Sequence, residues 1–144
     1  MHVGEIMTKD PACCTPSTGL QEVAKLMVEH DCGCIPVVDE EDSKMPVGMI
    51  TDRDITCRVV AKGLNPLDLT ANDAMTSTVV SVTPDTSVDE CCVLMEESKV
   101  RRIAVVDEKG RCCGIVAQAD IAGVGSPDEV GEVVQEVSKV APAS

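Results

Sequence analysis

The chain of 144 residues contains no phenylalanine, tyrosine or tryptophan. Its core must therefore be filled by Val, Ile, Leu, Met, Ala and Cys, and a bound heterocycle can only be sandwiched by aliphatic side chains. Basic residues are scarce, with 12 Lys and Arg against 25 Asp and Glu and a formal net charge of −13. Neutralising nucleic-acid phosphates or an anionic membrane needs a basic face, so neither partner is expected. No apolar run approaches the roughly 20 residues of a membrane span. The first residues, Met1-His2-Val3-Gly4-Glu5, show neither the basic nor the apolar stretch of a signal peptide, and the chain reads as cytoplasmic. No Ser/His/Asp, Cys/His or paired-carboxylate constellation is evident, so the expectation is a protein that is not an enzyme.

Against these absences, 44% of the residues are hydrophobic and 26% charged, the balance of a globular chain. The organising stretch is Gly48-Met49-Ile50-Thr51-Asp52-Arg53-Asp54-Ile55, which returns as Gly114-Ile115-Val116-Ala117-Gln118-Ala119-Asp120-Ile121. Each reads as a buried strand that turns into a helix whose first turn carries an aspartate. Free N–H groups and the helix dipole favour anions at such a junction, and the aspartate can accept from a sugar diol. Thr51-x-x-Asp54 is equally a plain helix-capping box.

The duplication extends further. Met7-Thr8 corresponds to Met75-Thr76, Thr15-Pro16 to Thr83-Pro84, Leu26-Met27 to Leu94-Met95, and Ile35 to Asp39 matches Ile103 to Asp107. A two-residue offset falls between Glu40 and Val47, where Asp, Ser, Lys and Pro mark a hairpin turn. Each copy predicts β-α-β-β-α: an extended segment (12–15; 79–82), a helix (20–29; 88–96), two strands (34–38 and 47–51; 103–106 and 113–117) and a second helix. On the first helix Leu20, Val23, Ala24, Met27 and Val28 have helical spacing. The last helix of the first copy runs from Arg53 to Ala61 and closes at Lys62-Gly63; its counterpart is interrupted at Gly123. The expected organisation is 1–63 as repeat one, 64–69 as connector, 70–125 as repeat two and 126–144 as a C-terminal helix and tail. That helix starts at Ser126-Pro127 and carries Val130, Val133, Val134, Val137 and Val140 as a stripe that docks on its own module or on a second subunit.

Nine cysteines include Cys13-Cys14, Cys32-x-Cys34, Cys91-Cys92 and Cys112-Cys113, none with structural zinc spacing. Six of them lie over small side chains of the other copy, as Cys14 does over Val82 and Cys91 over Val23, which points to small buried hydrophobes. Cys34 is the candidate reactive thiol, and His2 and His30 have no ligand-like neighbours in sequence.

On the Met-Thr segments, the Ile-Pro-Val-Val-Asp strand and the Gly-x-Ile-Thr-x-x-Asp-Ile stretch, the chain resembles a tandem pair of cystathionine-β-synthase (CBS) domains, a Bateman module, from about Val3 to Ala122. The resemblance implies an α/β (α+β) fold of two repeats packed as a pseudo-two-fold pair, dimerisation, and a regulatory role toward a partner protein not identified by the sequence. It implies an adenosyl ligand (AMP, ADP, ATP or S-adenosylmethionine) in the cleft between the repeats. Asp54 and Asp120 then correspond to the aspartates that bond ribose, Thr51 to the hydroxyl beside ribose and phosphate, and Ile35, Pro36 and Val37 to the strand flanking adenine. Arg101 and Arg102 match basic residues that reach phosphates, and Arg53 is a further phosphate candidate. Ala117 and Ala104 replace Thr and Pro in the second copy, so one composite site is expected rather than two. Without a ligand role, Asp54 and Asp120 are helix caps, and Arg101 and Arg102 are surface partners of Glu96 and Glu97. Two other functions remain open: a structural dimerisation module with a vestigial cleft, and a thiol or metal sensor on the same fold.

Overall fold

The Met-Thr segments exchange sheets. In the computed structural model, which describes residues 1–77 and 80–123, β1 (Thr8–Lys9) lies antiparallel to β7 (Cys112–Ala117), with Thr8 opposite Ile115 and Lys9 opposite Gly114. Strand β4 (Thr76–Ser77) lies antiparallel to β3 (Pro46–Thr51), with Gly48 opposite Ser77 and Met49 opposite Thr76. Two compact units result. One gathers 11–77 and Gly110–Cys112; the other gathers Met1–Asp10, Val80–Lys109 and 113–123. They do not coincide with 1–63 and 70–125, because each extended segment hydrogen-bonds to the strand that carries the other copy's glycine, Gly114 or Gly48.

In the 11–77 unit, β2 (Cys34–Val38) pairs with β3, giving the order β2-β3-β4. The extended segment expected at 12–15 is reduced to one parallel bridge, Cys14 to Val37. In the 80–123 unit the order is β1-β7-β6-β5, with β5 (Ser81–Val82) parallel to β6 (Arg102–Val106) and Val82 opposite Val105. Cys14–Val37 and Val82–Val105 are the same pair in the two copies.

Helix α1 (Leu20–Glu29) has the bounds its periodicity predicts. It buries Leu20, Val23 and Met27 in a core with Ile35, Val37 and Ile50. Ala24 and Val28 do not join that stripe, and Val28 is 82% exposed. Each lies one residue past a core position, about 100° round the helix. Helix α4 (Val88–Ser98) buries Val88, Cys91, Cys92 and Met95 against Ile103, Val105 and Val116. Cys14, Cys91, Cys92 and Cys112 are buried, and none of the nine cysteines is in a disulfide. Burial pushes the thiols of Cys14 and Cys91 up to about 11, so both stay neutral at pH 7 and pack as hydrophobes.

The aspartate ending each Ile-x-Val-Val-Asp strand builds the following turn. Asp39 Oδ1 accepts from the Ser43 hydroxyl (2.7 Å) and the amides of Glu40 (2.8 Å) and Met45 (2.9 Å). The Ser43 bond, with those amides, holds its carboxyl below the ordinary range. Asp107 accepts from the Lys109 amide at 2.9 Å.

The helix expected over Arg53 to Ala61 is α2 (Asp52–Ile55) followed by a π-helical turn, Thr56–Val60. The Thr56 hydroxyl bonds back to the Asp52 carbonyl (3.0 Å), competing with the regular ladder where the winding widens. Gly63, at φ +76°, closes it, with Leu64 N–H reaching the Val59 carbonyl at 3.1 Å. A 3₁₀ turn (Pro66–Asp68) and α3 (Ala71–Ala74) lead to β4, and α5 (Gln118–Ala122) follows β7. The helix expected from Ser126 onward lies outside the described residues, as does Val79. No helix among the described residues is long and apolar enough to cross a membrane.

Candidate functional site

The organising stretch forms the β3–α2 junction of the 11–77 unit, and its polar groups close on one another. The Asp54 amide donates to Thr51 Oγ1 (3.1 Å), while Asp54 Oδ2 accepts from the Thr51 amide (2.9 Å). The Asp52 amide donates to the Gly33 carbonyl (3.0 Å), and the Arg53 amide to the Asp52 carboxylate (2.8 Å). The amides expected to stand free for an anion are therefore occupied at residues 52, 53 and 54. What the junction offers outward is the second oxygen of Asp54, whose side chain is 17% exposed.

That oxygen, Oδ1, lies 3.9 Å from Arg58 Nε. Arg58 Nη1 also donates to the carbonyls of Met75 (2.9 Å) and Ala74 (3.4 Å), tying α2 to the segment that leads into β4. Sequence reasoning passed over Arg58; its i+4 spacing from Asp54 on a helix was the available signal. Replacing Arg58 by Met, which keeps the stem and removes the donors, is expected to lower stability by about 1 kcal/mol. Urea melts followed by far-UV circular dichroism measure it, and an unchanged midpoint would show that the clamp contributes nothing.

Strand alternation decides which side chains can border a ligand here. Ile35 and Val37, expected beside adenine, are 0% exposed and point into the core, as does Ile50 opposite Ile35. Of these three strand residues, Pro36 alone has its side chain on the other face. Cys34, Pro36, Met49 and Thr51 share that face, with Pro36 opposite Met49 and Cys34 opposite Thr51. The Cys34 thiol contacts Met49 Sδ at 3.7 Å. Pro36 is buried and Cys34, Met49 and Thr51 are half-buried, so the aliphatic and thioether groups that this face can turn to a heterocycle are chiefly those of Cys34 and Met49.

The matching junction in the 80–123 unit is a half-box. Asp120 Oδ2 accepts from the Ala117 amide (2.8 Å), but the Ala117 methyl group cannot return the bond. Arg101 precedes β6 and its carbonyl accepts from the Gln118 amide (2.8 Å); Arg102 opens β6, half-buried. Where this unit has Arg101 and Gln118, the 11–77 unit has Gly33 and Asp52, so close that a Cβ on Gly33 would lie 2.9 Å from Asp52 Oδ2. Arg53 is exposed. Among the described residues no group of three or more His, Cys, Asp or Glu side chains gathers as metal ligands.

The family model described as CBS domain matches the chain twice, at residues 3–60 and 71–126. An uncharacterized protein of Methanopyrus kandleri is 36% identical over 139 residues, 96% of this chain and 69% of that protein. Hypoxic response protein 1 of Mycobacterium tuberculosis is 37% identical over 118 residues, 82% of this chain and 80% of that one. The crystal structure of Hypoxic Response Protein I with two coordinated zinc ions is similar in fold (TM-score 0.75, 34% identity, 88% of this chain and 100% of that chain). So is a CBS domain pair in complex with 5′-methylthioadenosine and S-adenosyl-L-methionine (TM-score 0.74, 28% identity, 88% of this chain and 100% of that chain).

Proposed function

This chain belongs to the CBS domain family, and from that premise we propose that it is a non-catalytic regulatory module that binds an adenosyl ligand at the Thr51–Asp54 junction and signals its occupancy to a partner protein. One observation carries the reading: the capping box uses only Oδ2 of Asp54, leaving Oδ1 with Arg58 Nε at 3.9 Å and room for a further donor, and Thr51 of the same box shares its strand face with Cys34, Pro36 and Met49. Oδ1 can accept from a ribose hydroxyl while that face covers the purine.

The same geometry narrows the ligand class. The first-turn amides are already bonded, and the carboxylates of Asp52 and Asp54 offset the guanidinium groups of Arg53 and Arg58, so a phosphate finds no free first-turn amide and no net positive charge at this junction. A phosphate-free adenosyl group, neutral as in 5′-methylthioadenosine or cationic as in S-adenosylmethionine, fits better. The similar CBS pair crystallised with those two ligands supports this choice. A dye-based melting scan of the reduced protein with both compounds and with AMP, ADP and ATP tests it. A rise with the phosphate-free ligands is the expected result. A larger rise with ATP would overturn the class, and no rise with any would leave a structural assembly module.

Self-association is part of the proposal, supported by the uncovered Ala24 and Val28 on α1. Sedimentation equilibrium is expected to show a dimer that Val28→Glu weakens at least tenfold; an unaltered dimer would place the interface elsewhere.

A further inference from the structure

Two cysteines far apart in sequence, Cys13 and Cys112, meet inside the 11–77 unit. On the extended segment before Thr15, neighbouring side chains alternate. Cys14 enters the core, and half-buried Cys13 points to the other side. Cys13 borders a pocket of about 500 Å³ with Thr15, Thr18, Val38 and Lys44. Cys112 is held by its amide, which donates to the Lys44 carbonyl at 2.7 Å. Lys44 itself sits in the left-handed region at φ +48°. The Cys112 thiol hydrogen-bonds to the Cys13 sulfur, and Cys13 S–H reaches the Pro11 carbonyl at 3.4 Å. The other copy has Ser81 and Pro46 at the corresponding positions, so the pair is not a product of the duplication.

We propose that Cys13 and Cys112 are a redox-active pair that a hydroperoxide closes into a reversible disulfide. The Cys112 hydrogen bond holds the Cys13 thiol below its ordinary value despite burial; the Lys44 ammonium adds to this and the Cys14 thiol opposes it. Cys13 is thus the attacking sulfur and Cys112 the resolving one. Cys13 thiolate attacks the peroxide: an S–O bond forms, the O–O bond breaks, and hydroxide or alkoxide leaves. The Cys112 sulfur then attacks the sulfenic sulfur; the S–S bond forms, the S–O bond breaks, and hydroxide departs with the Cys112 proton as water. The peroxide is reduced by two electrons and the two thiols are oxidised by two. Such a switch would alter the pocket that Cys13 borders, separately from any ligand at Asp54. Cys34, the candidate reactive thiol in the sequence, contacts Met49 Sδ at 3.7 Å and takes no part in this pair.

The test treats the reduced full chain with one equivalent of hydrogen peroxide, alkylates it and maps tryptic peptides by mass spectrometry. The expected main product links the peptide carrying Cys13 and Cys14 to the peptide carrying Cys112 and Cys113. Cys13→Ser or Cys112→Ser should abolish the link, while Cys14→Ser and Cys113→Ser retain it. In Cys112→Ser, Cys13 sulfenic acid should become trappable by a cyclic 1,3-dione. Cys112 is buried, so the unmutated chain gives a second readout. Peroxide should remove Cys13 from iodoacetamide labelling, dithiothreitol should restore it, and exposed Cys57 should stay labelled throughout. Oxidation of Cys57 ahead of Cys13, or a link through Cys14 or Cys113, would overturn the proposal.

Discussion

Gly48→Ala is expected to lower stability by about 2–3 kcal/mol, the larger end of what overpacking costs. A Cβ at this position would sit 2.7 Å from the Thr76 carbonyl oxygen and 3.2 Å from Met75 Sδ. The sulfur can swing aside, but the carbonyl belongs to β4, which is hydrogen-bonded to β3 at this point. Relief therefore requires lifting β4 off its sheet. For a chain of this size the melting temperature should fall by about 6–12 °C. Gly114→Ala is the internal comparison. Its Cβ would meet Met7 Sδ at 2.5 Å and the Thr8 carbonyl at 3.0 Å, so the closest obstacle is a flexible side chain. A smaller loss, about 1 kcal/mol, is expected there. Melts followed by far-UV circular dichroism decide it, because no tryptophan or tyrosine is present to report by fluorescence. If Gly48→Ala melts within 2 °C of the parent, about 0.5 kcal/mol, the close approach of β4 is not what this glycine serves.

Removing the Asp54 carboxylate is expected to weaken adenosyl-ligand binding about ten- to a hundredfold, equivalent to the 1.5–3 kcal/mol of one charged hydrogen bond. Asp54 also caps α2 through the Thr51 amide, so Asp54→Ala should lower the stability of the ligand-free protein by about 1 kcal/mol as well. The two effects separate when affinity is measured by titration calorimetry below both melting temperatures. Asp54→Asn sharpens the contrast: its amide oxygen can keep the bond to the Thr51 amide but loses the charge directed at a ribose hydroxyl. Affinity lost in both variants, with the cap kept in Asn, places the ligand on Asp54. Unchanged affinity in both, together with a loss in Asp120→Ala, would move the site to the other junction. A ligand at a hundred times its dissociation constant adds about 2.7 kcal/mol, so several degrees of melting shift are available to follow it.

Much of this fold is legible in sequence because its signals are local. Leu20 to Met27 repeats at helical spacing, Cys34 to Val38 is a short apolar run closed by a turn-forming aspartate, and α1 and β2 occur where those patterns lie. The pairing of Thr51 with Asp54 is equally local, a three-residue spacing whose capping geometry follows from helix dimensions. Ala24 and Val28 misled because spacing defines a stripe but not how wide an arc the core covers. For Arg58 the i+4 spacing from Asp54 announces only the ion pair; its other partners, the carbonyls of Ala74 and Met75, are backbone groups that no side-chain pattern announces.

By itself, the sequence determined the duplicated β-α-β-β-α order, the ring-free core and the capped strand–helix junctions, since each depends on residues within a few positions of one another. Tertiary structure alone decided three things. The Met-Thr strands pair across the duplication, since hydrogen-bonded partners are set by chain path rather than by neighbourhood in sequence. Pro36 and Met49, rather than Ile35 and Val37, share the face of Thr51, since strand alternation and register place whole sets of side chains on one side. And Cys13 meets Cys112 nearly a hundred residues away, a contact between sulfurs that only the folded backbone brings together.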